Sequence, residues 1–153
     1  MSNPQNLEAK RALFAFTEAQ KGNKKQTDDK KFNYSAAVKE LPSMIRMNGL
    51  RATMAYFYSK EKAHELIFKQ IRKWFATEDP MVFLRSKFPE KEPDNAKAKN
   101  FMDILLKLSD DEYRIVQAET WTLANWMIRF VKEDSKPPKE GSTLNAEGNG
   151  NTQ

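Results

Sequence analysis

The chain has 153 residues, with 26 Lys and Arg against 21 Asp and Glu, a formal net charge of +5 and a pI near 9.3. It contains no Cys, which excludes structural disulfides and thiolate metal sites, and its length predicts one domain with a substantial core. Mean hydropathy is −0.79, and the amino terminus lacks the features of a signal peptide, so we expect a soluble, cytoplasmic protein.

Composition predicts an all-α domain over residues 1–133, a compact single-domain bundle of about six helices. Val and Ile total only ten residues, so strand-forming residues are scarce, whereas Leu, Met, Ala, Lys and Glu fill long stretches without Gly or Pro. Residues 134–153 are rich in Gly, Ser and Asn and contain one Leu. This composition predicts a disordered polar tail.

The first predicted helix begins at Pro4, with Asn3 as its cap, and ends by Gly22, because Pro favours the first turn and Gly the exit. Lys24 and Lys25 then fall in a polar loop.

A second helix is predicted over about 30–47, with Pro42 expected to kink it and Asn48-Gly49 expected to end it. A third helix covers residues 50–59 and a fourth covers residues 61–76.

The region 77–95 contains three prolines and predicts a surface connection with a short helix at about 80–88. Asp94 is predicted to cap a helix that ends at Leu108. Ser109 and Glu112 have the spacing of a capping box, and three acidic residues in that first turn suit the helix dipole, so we expect the last helix to run from there to about Glu133.

The last helix carries apolar residues on more than one side. At 100° per residue, one broad arc contains Tyr113, Val116, Trp121, Leu123, Ala124, Met127, Ile128, Phe130 and Val131. Ile115 and Trp126 project from another side, and we expect them to form a partner interface. The remaining sector carries Arg114, Asn125, Arg129 and Lys132.

Positive charge is concentrated in the first half of the chain, where residues 1–79 contain 15 Lys and Arg against 9 Asp and Glu. Cationic rows at helical spacing can follow the phosphates of a nucleic acid without reading its sequence. The candidate contacts in this half are Lys24, Lys25, Arg46, Arg51, Lys60, Lys62, Lys69, Arg72 and Lys73. Such rows are more often solvated helix faces. Basic amphipathic helices also bind anionic membranes, but here the apolar faces are needed for the core of a small bundle.

No pattern in the sequence predicts catalysis. His64 is the only histidine and lies at the margin of an apolar helix face, where a structural role is typical. The chain has no nucleophile elbow, phosphate loop or dinucleotide fingerprint. The acidic cluster at 110–112 could bind Mg²⁺, as in a metal nuclease, but helix capping accounts for it. We therefore expect no enzyme activity, no metal and no cofactor.

Two segments resemble a known family. Residues 34–60, YSAAVKELPSMIRMNGLRATMAYFYSK, place Val-Lys-x-Leu-Pro and Asn-Gly-Leu before a helix of small residues that ends in Ser-Lys. Residues 112–130, EYRIVQAETWTLANWMIRF, form a Glu-Tyr-Arg helix with Asn-Trp and Arg-Phe near its end. Together they resemble the small α-helical subunit of the Cmr complex, the type III-B CRISPR RNA-guided effector, over roughly 8–133.

The resemblance implies a non-catalytic subunit of an antiviral ribonucleoprotein that stacks in several copies. Its implied partners are the backbone and large subunits, further copies of itself, and the guide RNA–target RNA duplex, with no membrane and no small-molecule substrate. The basic residues that match the two segments, and are expected to contact RNA, are Arg46, Arg51, Lys60, Arg114 and Arg129. The alternative function is an independent helical nucleic-acid-binding regulator.

Overall fold

The computed structural model describes residues 4–78 and 80–132, and this part of the chain is helical without strands. Its helices are α1 (Pro4–Asp28), α2 (Tyr34–Asn48), α3 (Leu50–Tyr58), α4 (Ala63–Thr77), α5 (Val82–Arg85), α6 (Asp94–Lys107) and α7 (Asp110–Phe130). The predicted all-α bundle is confirmed, with α5 as the short helix between α4 and α6. The tail predicted over 134–153 lies outside the described residues.

Helix α7 packs along both α1 and α2. Arg11 contacts Glu119, and farther along both helices the side-chain amide of Asn23 donates to the carbonyl of Phe130. The two contacts follow the same order in α1 and α7, so these helices run parallel.

Helix α2 runs antiparallel to α7 and packs against both α7 and α3. The backbone amide of Leu50, just after α2, donates to Gln117, whereas Arg46 lies over Trp121 one turn later in α7. On the other side of α2, helices α3 and α4 pack against it, and α6 packs against α3 and α4.

Trp74 of α4 lies at the centre of the core and is fully buried. Its ring centroid is 5.1 Å from that of Phe14, and its indole N–H donates to the carboxylate of Glu119 at 3.0 Å. Arg11 donates two further hydrogen bonds of 2.7 Å to Glu119, and these bonds raise the pKa of Arg11. A buried carboxylate is tolerated here because it is paired and fully hydrogen-bonded.

The prediction that the first helix ends by Gly22 is wrong, because α1 continues to Asp28. A Cβ atom at Gly22 would lie 2.3 Å from Cζ of Tyr34, so the glycine allows the buried tyrosine ring to pack directly on the helix backbone. Lys24 and Lys25 accordingly lie on α1 and not in a loop.

The second helix begins later than the predicted 30–47, because Asn33 is its cap. The Asn33 side chain accepts a hydrogen bond from the Ala36 amide at 3.2 Å. The helix continues through the buried Pro42 to its predicted end, where Gly49 has a φ of 87°. That left-handed backbone is the reason for a glycine at this exit.

Helix α4 begins at Ala63 and not at the predicted Glu61, since Lys62 before it has a φ of 60°. The capping box of α7 is confirmed: Ser109 accepts from the Glu112 amide at 3.2 Å, and the Glu112 carboxylate accepts from the Ser109 amide at 3.0 Å. The bond from the Ser109 backbone lowers the pKa of Glu112.

One member of the predicted apolar arc of α7 is not in the core. Val116, Leu123 and Met127 are fully buried, whereas Trp121 is 37% exposed at the edge of the arc. Within the described ranges, no helix has both the length and the apolar character required to cross a bilayer.

Candidate nucleic-acid interface

The cations predicted on the fourth helix lie on or next to α4, and the two most exposed are paired with surface carboxylates. Lys62 Nζ lies 3.0 Å from Asp29 Oδ2, and Lys69 Nζ lies 3.3 Å from Glu65 Oε2. The hydrogen bond from Lys62 lowers the pKa of Asp29. Exposed pairs of this kind contribute about 0–1 kcal/mol and exchange readily, so a phosphate could displace these carboxylates.

Arg72 and Lys73 are bound to carboxylates inside the fold. Arg72 Nη2 lies 2.8 Å from Glu92, and the two side chains are 14% and 6% exposed. Lys73 Nζ lies 2.9 Å from Glu18, which is 4% exposed, and this hydrogen bond raises the pKa of Lys73. Removing Arg72 would leave the buried Glu92 without a cation, and removing Lys73 would leave the buried Glu18 with Lys21 alone, so both cations stabilise the fold.

Arg51 holds the end of α6. Its Nε donates to the carbonyl of Leu105 and its Nη2 to the carbonyl of Leu108, both at 2.9 Å, and its guanidinium lies 4.0 Å from the ring centroid of Tyr113. These carbonyls have no partner within α6, so Arg51 caps that helix and joins it to α3 and α7.

Lys24 and Lys25 lie near the end of α1, on the solvent side. Lys24 forms an exposed ion pair of 3.3 Å with Asp28, and Lys25 Nζ lies 5.9 Å from the ring centroid of Phe32. Both ammonium groups remain accessible to an anionic ligand.

His64 and Lys60 belong to an aromatic group between α3 and α4. The His64 ring packs edge-on against Tyr56 and Phe57, and its Nε2 lies 3.1 Å from Glu40 Oε1. Lys60 Nζ lies 5.0 Å from the ring centroid of Tyr56. These contacts give His64 a structural place between helices, whereas Lys60 is exposed.

Two arginines stack on tryptophans of α7. The guanidinium of Arg46, which reaches across from α2, lies 5.6 Å from the ring centroid of Trp121, and that of Arg129 lies 5.0 Å from the centroid of Trp126. Both arginines are exposed, and neither forms an ion pair with a described residue. Every cation predicted on α4, by contrast, is paired with a carboxylate.

These arginines belong to a continuous basic surface. We define the α7 outer face as Arg46, Arg114, Trp121, Asn125 and Arg129, which share the solvent side of α7 and its border with α2. Lys132, predicted in the same sector, lies beyond the end of the helix, where its backbone binds Asn23 and Gln26 of α1. Glu119 is the sole carboxylate from Tyr113 to Lys132, and it is buried against Arg11. At the N-terminal end of the described part of this face, Asp111 pairs with Arg114 at 3.2 Å.

The partner residues predicted on the last helix lie on a different flank of it, next to α1. Trp126 packs parallel to Phe130 with ring centroids 6.2 Å apart, and Phe130 meets Phe16 of α1 edge-on at 5.3 Å. Ile115 lies about three turns earlier on the same flank and is 50% exposed. Leu13, one turn from Phe16, is 66% exposed and lies toward α4, where it lines a depression with Lys73 and Glu78. We call Leu13, Phe16, Ile115, Trp126 and Phe130 the α1–α7 apolar patch.

The described residues contain no group of three or more His, Asp or Glu side chains placed to hold a metal ion. The acidic cluster at 110–112 is used in the N-terminal turn of α7.

The family model described as CRISPR-associated protein (Cas_Cmr5) matches residues 7–133, which is most of the chain. The chain belongs to the Cas_Cmr5 family. It is therefore a CRISPR-associated protein of the Cmr type, and the resemblance seen in residues 34–60 and 112–130 is confirmed. No curated protein matches the chain.

The predicted contact residues of this Cas_Cmr5 protein do not lie on one surface. Arg46, Arg114 and Arg129 share the α7 outer face, whereas Lys62 and Lys69 lie at α4. Arg72, Lys73 and Arg51 have structural partners within the fold. Lys24, Lys25 and Lys60 lie at separate exposed positions, and the RNA contacts predicted for them remain predictions.

The sequence analysis missed two features of this site in the Cas_Cmr5 protein. It placed Trp121 in the core arc, because the residue lies at the arc's edge, and it did not anticipate that Arg46 of α2 would contact this ring. The signal that could have found the site is the absence of any carboxylate between Glu119 and Lys132.

Proposed function

We propose that this Cas_Cmr5 protein is a non-catalytic small subunit of a type III-B CRISPR effector, stacks in several copies along the complex and contacts target RNA through basic surfaces. It acts in the cytoplasm in antiviral defence, beside the backbone and large subunits. Family membership supports the assembly and favours it over an independent regulator.

The observation that carries the RNA contact is the α7 outer face. Arg46 and Arg129 have no described carboxylate partner, and the only carboxylate of the helix beyond Asp111 and Glu112 is buried. A solvent-facing surface of one sign attracts a polyanion and releases its counterions on binding. The recognition is independent of sequence, so base identity is left to guide–target pairing.

Stacking of subunits is supported by the α1–α7 apolar patch. Leu13 and Ile115 are at least half exposed, and the patch includes three aromatic rings. Large apolar side chains grouped on a surface are typical of protein–protein contacts. The non-catalytic role is supported by the structural use of His64 and of the acidic cluster at 110–112.

The test compares reconstituted complexes that carry two variants of this subunit. Arg46→Gln with Arg129→Gln removes the unpaired cations, and Lys62→Gln with Lys69→Gln is the matched control at paired surface positions. Filter binding of target RNA across a salt series should show a shallower log–log slope for the first variant, by about 0.7 for each phosphate that the subunit no longer binds.

The control variant should change the slope less, since its cations are already neutralised in part by Asp29 and Glu65. Equal slopes for the wild type and the Arg46/Arg129 variant would contradict the proposed RNA contact. Sequence-specific binding of the isolated chain to duplex DNA would instead favour the regulator.

A further inference from the structure

Trp121 is an exposed indole held in place by an arginine that has no acidic partner among the described residues. The residue is 37% exposed, and Arg46 Cζ lies 5.6 Å from its ring centroid. The guanidinium limits the ring's motion through a cation–π contact and keeps its own hydrogen-bond donors available. An ordered aromatic surface is therefore presented to solvent next to a free positive charge.

The surface around this ring is concave. Ile45, Arg46, Gln117 and Trp121 line a shallow depression of about 330 Å³ between α2 and α7. Gln117 is fixed as one wall, because its Oε1 accepts a hydrogen bond from the Leu50 amide at 2.8 Å. The volume is sufficient for one nucleobase lying against the indole.

The charges near the depression identify the class of ligand. Arg114 and Arg129 continue the α7 outer face over about 23 Å of helix, and the one carboxylate between Tyr113 and Lys132, Glu119, is buried. A second copy of this face would bring like charges together, and the centres of protein interfaces are depleted in charge. A polyanion with flat apolar groups fits both the arginines and the indole.

We propose that the depression at Trp121 is a stacking site for an unpaired nucleotide of RNA, with the neighbouring phosphates bound along the α7 outer face. The inference deepens the proposed RNA contact and rests on it. Bases inside a duplex cover one another's faces and present mainly phosphate to a protein. An exposed indole therefore adds affinity only where a base is free to stack, so this surface favours single-stranded RNA over duplex RNA.

The experiment measures binding of the isolated full-length chain at low salt to one labelled RNA sequence, either single-stranded or as a duplex, by fluorescence anisotropy up to millimolar protein. The wild type should bind the single strand about tenfold more tightly. Trp121→Leu should abolish that preference while its duplex affinity is unchanged, and Trp121→Phe should keep most of it. Tyr58→Leu, at a 45% exposed aromatic outside the α7 outer face, is the control and should behave as wild type.

The inference is overturned if the wild type binds both RNAs equally or neither, or if Trp121→Leu weakens both to the same extent. It is also overturned if Trp121→Leu leaves RNA binding intact but blocks assembly with neighbouring subunits, which would make the depression a protein contact. A different experiment tests the proposed function. It is contradicted if removing the side-chain charges of Arg46 and Arg129 does not affect RNA retention by the reconstituted complex. Circular dichroism of each variant confirms that it is folded.

Discussion

At Gly22, the ring of Tyr34 in α2 packs directly on the backbone of α1. The ring of Tyr34 occupies the space that any side chain at position 22 would need, and the Tyr34 hydroxyl donates to Gln70 Oε1 at 2.8 Å. Gln70 in turn donates to the carbonyl of Glu18 at 2.9 Å. Because Gly22 has no side chain, Tyr34 can take part in a buried series of hydrogen bonds that connects α1, α2 and α4.

Gly22→Ala should destabilise the protein, although alanine is the better helix former by about 1 kcal/mol. The added methyl group would overlap the Tyr34 ring, and overpacking of this kind typically costs about 1–3 kcal/mol. Urea denaturation should show a lower free energy of unfolding. Gln20→Ala, at an exposed position of the same helix, is the control and should change stability by less than about 0.5 kcal/mol. A Gly22→Ala protein more stable than wild type would disprove this packing role.

At the scale of whole elements, Arg51 fixes the position of α6 relative to α3 and α7. Its two hydrogen bonds reach carbonyls at Leu105 and Leu108, and its planar group stacks on the ring of Tyr113. A flat group with several donors is required for both kinds of contact at once.

Arg51→Lys should lower the free energy of unfolding by about 2 kcal/mol, since an ammonium group can satisfy one carbonyl but not both while stacking. Urea denaturation measures the change, with the exposed Arg114→Lys as the control, expected to stay within about 0.5 kcal/mol of wild type. If Arg51→Lys left stability unchanged and weakened RNA retention, the residue would be an RNA contact, as the sequence predicts.

Local sequence signals were sufficient to predict where most of the helices begin or end. The Ser109–Glu112 capping box and the Asn48-Gly49 exit are set by residues a few positions apart, so pattern reading located them correctly. The helix end predicted at Gly22 was wrong, because the sequence alone does not distinguish a glycine required for packing from a glycine that ends a helix.

The charge of α4 could not be predicted in the same way. The carboxylates that neutralise Lys62, Arg72 and Lys73 come from residues distant in sequence, which only the tertiary fold brings together. A helical wheel shows which cations share a face but not which acids lie opposite them. The outer face of α7 was more predictable, since its lack of carboxylates is a property of one continuous segment.

The whole molecule presents two kinds of surface on one helix. The α7 outer face is basic and carries Trp121, and the α1–α7 apolar patch occupies the flank next to it. A subunit that used the patch for a neighbouring copy would leave its basic surface open, so successive copies could present a row of positive charge.

Leu13→Gln combined with Ile115→Gln should weaken association between copies and with the other subunits while leaving the monomer intact. Both side chains are at least half exposed, so each change should alter the free energy of unfolding by less than about 0.5 kcal/mol. Sedimentation velocity and co-purification measure the association. Met47→Gln, at a 79% exposed position outside the patch, is the control. Assembly at wild-type levels would exclude the patch as an interface.

The side chain of Asn23 joins α1 to the end of α7, and its amide can deamidate over time. Its Nδ2 donates to the Phe130 carbonyl at 3.1 Å and its Oδ1 accepts from the Lys132 amide at 3.0 Å, so one side-chain amide binds the backbone in both directions. Slow deamidation to aspartate during storage would keep the acceptor, abolish the donor and set a negative charge against that carbonyl. Hydrogen exchange of aged preparations should therefore show fraying first at the last turn of α7, beside Arg129 of the α7 outer face and Phe130 of the α1–α7 apolar patch.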